Sequence, residues 1–206
     1  TTPTRLPSAL GGEHAVSVSA SVHSLALTTD GAVWSWGYGG FGRLGHGDVQ
    51  DQLLPKKVEA LAGQRAIGVS AGTAHSLALA ADGAVWSWGY GACGRLGHGD
   101  QQNQQQPKKI EALVDQRVVA VSAAAGHSLA LTADGAVWSC GGGISGVLGH
   151  GDEPLRQLLP KKIEAFTGHR VVAASAGSSH SLATTADGAV FTWGQGERGC
   201  LGHGED

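Results

Sequence analysis

The stretch His75-Ser-Leu-Ala-Leu-Ala-Ala-Asp-Gly-Ala-Val-Trp-Ser-Trp-Gly89 constrains this chain more than any other, because it occurs four times. The copies begin at His23, His75, His127 and His180, in steps of 52, 52 and 53 residues. The extra residue falls in the link from Asp152 to Pro160, one longer than Asp100 to Pro107. Two further markers keep the same phase: Asp-Gly at 30–31, 82–83, 134–135 and 187–188, and Leu-Gly-His-Gly at 44–47, 96–99, 148–151 and 201–204. A fixed period near fifty means one supersecondary unit used repeatedly, each copy burying its neighbour's apolar face.

Within a unit the pattern predicts strands. His23-Ser-Leu-Ala-Leu-Thr28 alternates large with small side chains, and Ala32-Val-Trp-Ser-Trp36 is rich in strand-favouring residues. Asp-Gly between two such runs predicts a hairpin with a two-residue type I′ turn. Apolar runs such as Val118–Val121 and Val171–Ala174 precede the hairpins, and Pro107-Lys-Lys-Ile-Glu-Ala-Leu113 precedes those, which makes four strands per unit. Gln101–Gln106 reads as a polar loop. At the start, Thr4–Leu10 takes the place of the Pro-Lys-Lys strand and His14–Val18 that of the inner strand, so residues 1–22 complete a blade. The expectation is an all-β propeller of four blades of about 52 residues in one domain, 1–206, as a small closed ring or as an arc of a larger one.

Read together, the His-Ser-Leu-Ala-Leu hairpin, the Trp-Gly, the Gly-Arg-Leu-Gly-His-Gly-Asp and the Pro-Lys-Lys-Ile-Glu-Ala-Leu segments resemble the regulator of chromosome condensation repeat. The resemblance covers nearly the whole chain. It implies a propeller, typically of seven blades. The functions it implies are guanine-nucleotide exchange on a small nuclear GTPase, chromatin binding, interaction domains of ubiquitin ligases and plant UV-B perception. Shared fold does not choose among them. The UV-B receptor pattern, Gly-Trp-Arg-His-Thr at the hairpin starts, is replaced here by Ser21-Val22-His23, Thr73-Ala74-His75, Ala125-Gly126-His127 and Ser178-Ser179-His180. The six tryptophans lie instead at 34, 36, 86, 88, 138 and 193, as expected of fillers between blades.

A net charge of −3 gives no electrostatic footprint for nucleic acid or an anionic membrane. No apolar run is long enough to span a bilayer, and Thr1-Thr-Pro-Thr is not a signal peptide. Three cysteines, Cys93, Cys140 and Cys200, sit at different phases and read as reduced thiols of a cytoplasmic or nuclear protein. Histidines recurring once per blade spread around a ring and do not converge, so they predict hydrogen bonds and no metal site. Asp30, Asp82, Asp134 and Asp187 are turn residues. The pairs Lys56-Lys57, Lys108-Lys109 and Lys161-Lys162 suit an outer strand, where lysine blunts edge-to-edge pairing. No serine-hydrolase elbow, phosphate-binding loop or His-Glu-x-x-His motif occurs, so no catalytic, cofactor or metal residues are expected.

These readings predict a non-enzymatic scaffold that binds another protein through loops on one face. The candidate loops are those where near-identical units differ: Tyr38–Phe41, Tyr90–Cys93, Gly142–Ser145 and Gln195–Arg198, with Tyr38, Phe41, Tyr90, Cys93, Ile144, Gln195 and Arg198 as contact residues. The first alternative is an exchange factor for a small GTPase. The second is a truncated or engineered array without its own partner, a reading prompted by the absence of methionine. A homodimer completing an eight-bladed ring is a further expectation, since an open end would leave apolar blade surface exposed.

Overall fold

The computed structural model describes residues 2–4, 6, 10–151 and 155–204. Most of the predicted Thr4–Leu10 strand and part of the Asp152–Pro160 link lie outside the described residues. The described residues form fifteen strands in four antiparallel sheets. The first sheet is β1 (Ala15–Ala20), β2 (His23–Thr28), β3 (Val33–Gly37) and β4 (Gln52–Lys57). The second is β5 (Ala66–Ala71), β6 (His75–Ala80), β7 (Val85–Gly89) and β8 (Gln104–Lys109). The third is β9 (Val118–Ala123), β10 (His127–Thr132), β11 (Val137–Gly142) and β12 (Arg156–Lys162). The fourth holds β13 (Val171–Ala176), β14 (His180–Thr185) and β15 (Val190–Gly194), three strands where four were expected, among the described residues.

Three local readings need correction. The Asp-Gly hairpins are not type I′. Only the glycine has positive φ (Gly31 at +85°, Gly83 at +88°), whereas a type I′ turn needs it at both central positions. Gly31 N–H donates to Thr28 O and Thr28 N–H to Ala32 O, so Thr29-Asp30-Gly31 is a three-residue loop with glycine in the left-handed position. Asp30 Oδ1 holds it by accepting from Thr28 Oγ1 and Ala32 N–H. Second, the Pro-Lys-Lys strand begins earlier and ends sooner than predicted. The glutamines of Gln104–Gln106 are strand, and Glu59–Leu61, Glu111–Leu113 and Glu164–Phe166 are 3-10 turns. Ending the strand there turns Leu61, Leu113 and Phe166 into the core. Third, this strand pairs with the tryptophan strand before it (β3 with β4, β7 with β8), so it is the outer edge of the preceding blade. Proline is tolerated there because an edge strand can spare an amide.

Successive sheets pack in series: β2 against β5, β6 against β9 and β10 against β13. One rule governs all three contacts. Leu25, Leu27 and Val33 of the first sheet meet Ala78, Trp86 and Trp88 of the second. Leu79 and Val85 meet Ala130 and Trp138, and Leu129, Leu131 and Val137 meet Ala183, Phe191 and Trp193. The leucine face of one blade therefore buries the tryptophan face of the next, which is where most of the stabilising apolar burial lies.

Among the described residues the series is an arc that does not close, which removes the small-ring alternative. At the far end, Val190 is 65% exposed, while its counterparts Val33, Val85 and Val137 are 0–2% exposed. At the near end, Val18 is 71% exposed, while its counterparts Val69 and Val121 pack into inter-blade cores.

Candidate interaction face

Each tryptophan strand leaves its sheet through a glycine that packs on the start of the hairpin. At Gly89, φ is +104° and a Cβ would lie 2.6 Å from Ala74 O, so only glycine fits. A short loop and a 3-10 turn follow: Gly40–Gly42, Ala92–Gly94, Ile144–Gly146 and Glu197–Gly199. The central residue of every turn is left-handed although it is not glycine: Phe41 (φ 65°), Cys93 (61°), Ser145 (61°) and Arg198 (60°). An L-residue in that region costs roughly 1–2 kcal/mol. Four different side chains held in one strained conformation are set by the frame around them and not by their own preferences.

The residue that follows each turn decides how the loop is anchored. Arg43 Nη1 donates to Thr73 O at 2.6 Å and Nε to Gly40 O at 2.8 Å. Arg95 repeats this with Ala125 O at 2.6 Å and Ala92 O at 2.9 Å. Each guanidinium ties its own loop to the hairpin start of the next blade. Arg43 is only 3% exposed, and burial lowers its pKa, with Tyr38 and Asp51 acting in the opposite direction. Tyr38 lies 4.6 Å over Arg43, Tyr90 lies 4.8 Å over Arg95, and Phe41 stacks on Tyr90 at 4.3 Å.

The seven residues singled out from the sequence fall into groups. Tyr38, Phe41 and Tyr90 form one aromatic cluster over the two arginines. Cys93, Ile144 and Gln195 line one hollow of about 360 Å³, spanning loops of the second to fourth blades. Arg198 is exposed and joins neither group. Arg43 and Arg95 were missed as organisers of this face, as was Val147, which occupies their position in the third blade. The signal was present in the repeat: Gly-Arg-Leu-Gly at 42–45 and 94–97 becomes Gly-Val-Leu-Gly at 146–149 and Gly-Cys-Leu-Gly at 199–202.

Beneath the loops, the recurring histidines form hydrogen bonds between blades. His23 Nε2 lies 2.6 Å from Ser76 Oγ; His75 and His127 each lie 2.9 Å from Ser128 and Ser181. Each serine hydroxyl donates onward to a carbonyl, Arg43 O, Arg95 O or Val147 O. The hydroxyl proton is thereby committed, so Nε2 must carry the imidazole proton and Nδ1 is bare. Burial pushes the three imidazoles down, to about 4 for His23, about 3 for His75 and about 4 for His127. The second histidine series bonds within its own blade: His46, His98 and His150 reach Ser35, Ser87 and Ser139 at 2.8–3.0 Å. Among the described residues no group of three or more His, Cys, Asp or Glu side chains is placed to hold a metal ion. Also among them, no helix is long and apolar enough to cross a membrane.

Comparison with known proteins agrees with this architecture. The chain is 44% identical over 190 residues to the E3 ubiquitin-protein ligase HERC2 of Homo sapiens, covering 91% of this chain and 4% of that protein. It is 41% identical over 191 residues to the ultraviolet-B receptor UVR8 of Arabidopsis thaliana, covering 92% of this chain and 43% of the receptor. Among solved structures, Prp20p of Saccharomyces cerevisiae superposes with a TM-score of 0.87 at 26% identity, over 100% of this chain and 50% of that one. Human WBSCR16 gives 0.86 at 28% identity, over 94% and 51%. The chain thus spans about half or less of each. The RCC1-like domain description matches residues 1–206, and this chain belongs to that family.

Proposed function

We propose that the chain is a non-enzymatic module that binds another protein through the loop face described above. The observation that carries this reading is the common backbone of the four 3-10 turns. It presents unlike side chains (Phe41, Cys93, Ser145, Arg198) at one repeated position beside exposed Tyr38 and Ile144. A rigid frame with variable tips is how loop-borne recognition is built. The family supports the reading, since its relatives include a ligase and a receptor in which the matched stretch is one part of a longer chain. A protein partner met in the cytoplasm or nucleus fits the free thiols. No nucleic-acid or membrane partner and no cofactor is proposed.

Photo-crosslinking tests this. A crosslinker at position 41 or 144 is expected to capture one defined partner that a crosslinker at Leu53, on the outer strand β4, does not. Equal capture from both sites, or none from either, would remove the loop face as the interface. The latter is the result expected of an array without a native partner. A second reading is guanine-nucleotide exchange on a small GTPase, favoured by the superposition on Prp20p, whose structure is described together with its binding to Gsp1p and histones. Accelerated GDP release from a purified GTPase would establish it. The exposed Val18 and Val190 at the two ends of the array favour a third contact, in which the leucine face of one copy meets the tryptophan face of another.

A further inference from the structure

The first and second blades each fill one position on the loop face with a guanidinium of their own. The third blade keeps the position and lacks the guanidinium. Val147 has φ −58° and ψ −19°, against −59° and −16° at Arg43 and −59° and −18° at Arg95. The left-handed residue two places before is likewise unchanged, at 61–65° in all three. The backbone frame is therefore the same, and only the side chain is shorter. The carbonyls that accept from Arg43 are Gly40 O and Thr73 O, and those that accept from Arg95 are Ala92 O and Ala125 O. By repeat position their counterparts are Ile144 O and Ser178 O. Among the described residues, no side chain and no backbone amide from outside the 3-10 turn itself donates to either of these. Ile144, Val147 and Ser178 all line the hollow of about 360 Å³.

We propose that this hollow is a receptor for an arginine side chain supplied by the partner protein. The guest guanidinium takes the place of the missing internal one, donating to Ser178 O and Ile144 O. Its methylene stem lies along Val147, Ile144 and Cys93. Arg95 also lines the hollow, and its charge taken alone favours a carboxylate. The fold answers that objection itself. Arg43 and Arg95 occupy successive slots of the same kind, each held by backbone carbonyls. The frame therefore already accepts guanidinium groups in neighbouring slots. The biological guest rests on the interaction-face reading above, but the slot itself can be tested without any partner.

The probe is N-acetyl-arginine amide, titrated into the intact chain and followed by the indole N–H resonance of Trp193. That indole donates to Val147 O at 2.9 Å, directly behind the slot. Saturable shifts are expected with the arginine amide. The citrulline amide, which has the same shape without the charge, and the lysine amide are expected to bind at least tenfold more weakly. Raising the salt concentration is expected to leave arginine binding unchanged or tighter, because the neighbouring Arg95 is repelled less. V147R is expected to abolish binding and to raise the thermal midpoint, its own guanidinium now reaching Ser178 O. V147A keeps the hollow open and should bind within twofold of the parent. Equal binding of arginine and citrulline amides, undiminished binding by V147R, or preferential binding of N-acetyl-glutamate amide would each overturn the proposal. None of these outcomes bears on whether the loop face binds a protein.

Discussion

Replacing His75 with glutamine removes one of three imidazoles that must stay neutral in the folded chain. His23, His75 and His127 have pKa values of about 4, 3 and 4 when folded, against 6.5 for an exposed histidine. The neutral form is the one the fold favours. The contribution to stability is therefore fully present above pH 6.5 and is lost as the pH falls towards the folded values, because the unfolded chain binds protons that the folded chain refuses. At pH 5 this costs about 2 kcal/mol per histidine, or about 6 kcal/mol for the three. That is comparable with the whole stability of a typical domain, about 5–15 kcal/mol. Burial also lowers His46, His98 and His150, with the same sign. Glutamine at 75 can still donate to Ser128 Oγ but does not titrate. Urea unfolding followed by circular dichroism at pH 7.5, 6, 5 and 4.5 measures the effect. H75Q is expected to lose about 2 kcal/mol less than the parent between pH 7.5 and 5. Parallel pH profiles for the two proteins, or a parent whose stability is flat over that range, would refute the assignment of these histidines as buried neutral donors.

Other consequences are open to direct measurement. G89A combines a positive φ with a Cβ 2.6 Å from a backbone oxygen and should cost more than about 2 kcal/mol in urea unfolding. By contrast, alanine at Gly63, also at positive φ but with nothing within 4 Å of a Cβ, should cost about 1 kcal/mol. In thiol titration of the native chain, exposed Cys200 should react first and Cys140 only on unfolding, since burial pushes its thiol up to about 12. Light scattering should show concentration-dependent self-association, weakened by lysine at Val18 or Val190; a mass that stays at 20.8 kDa over a hundredfold range of concentration would exclude it.

The fold was legible because the repeat carries its own internal controls. Four copies of one hairpin leave little freedom in strand order, and the alternation in His-Ser-Leu-Ala-Leu sets which side chains face the neighbouring blade. The misreadings have local physical causes. Asp-Gly is compatible with more than one hairpin loop, and the choice depended on whether the threonine or alanine before it joins the turn. Gln104–Gln106 has poor strand propensity, and it becomes strand because β7 offers an unpaired edge and because alternate positions need not be buried there. The candidate site was legible as loops but not as chemistry. Variation among copies pointed to Phe41, Cys93 and Ile144, yet the residue two or three places on determines what those loops hold. That Arg43 bonds a carbonyl thirty positions away, in the next blade, follows only from the packing of sheet on sheet.

The serial packing of leucine face on tryptophan face also fixes how the molecule comes apart. Sheets two and three have neighbours on both sides, whereas the first and fourth have one each. In such an array, opening an end breaks one interface and opening the middle breaks two. The chain should therefore peel inward from its termini. Backbone amides of β6 and β10 should exchange with solvent most slowly, those of β1 and β15 fastest, with the intervening strands graded between them. The His–Ser contacts set the steps of that gradient, since each joins one sheet to the next and each is lost only when a whole sheet lifts away.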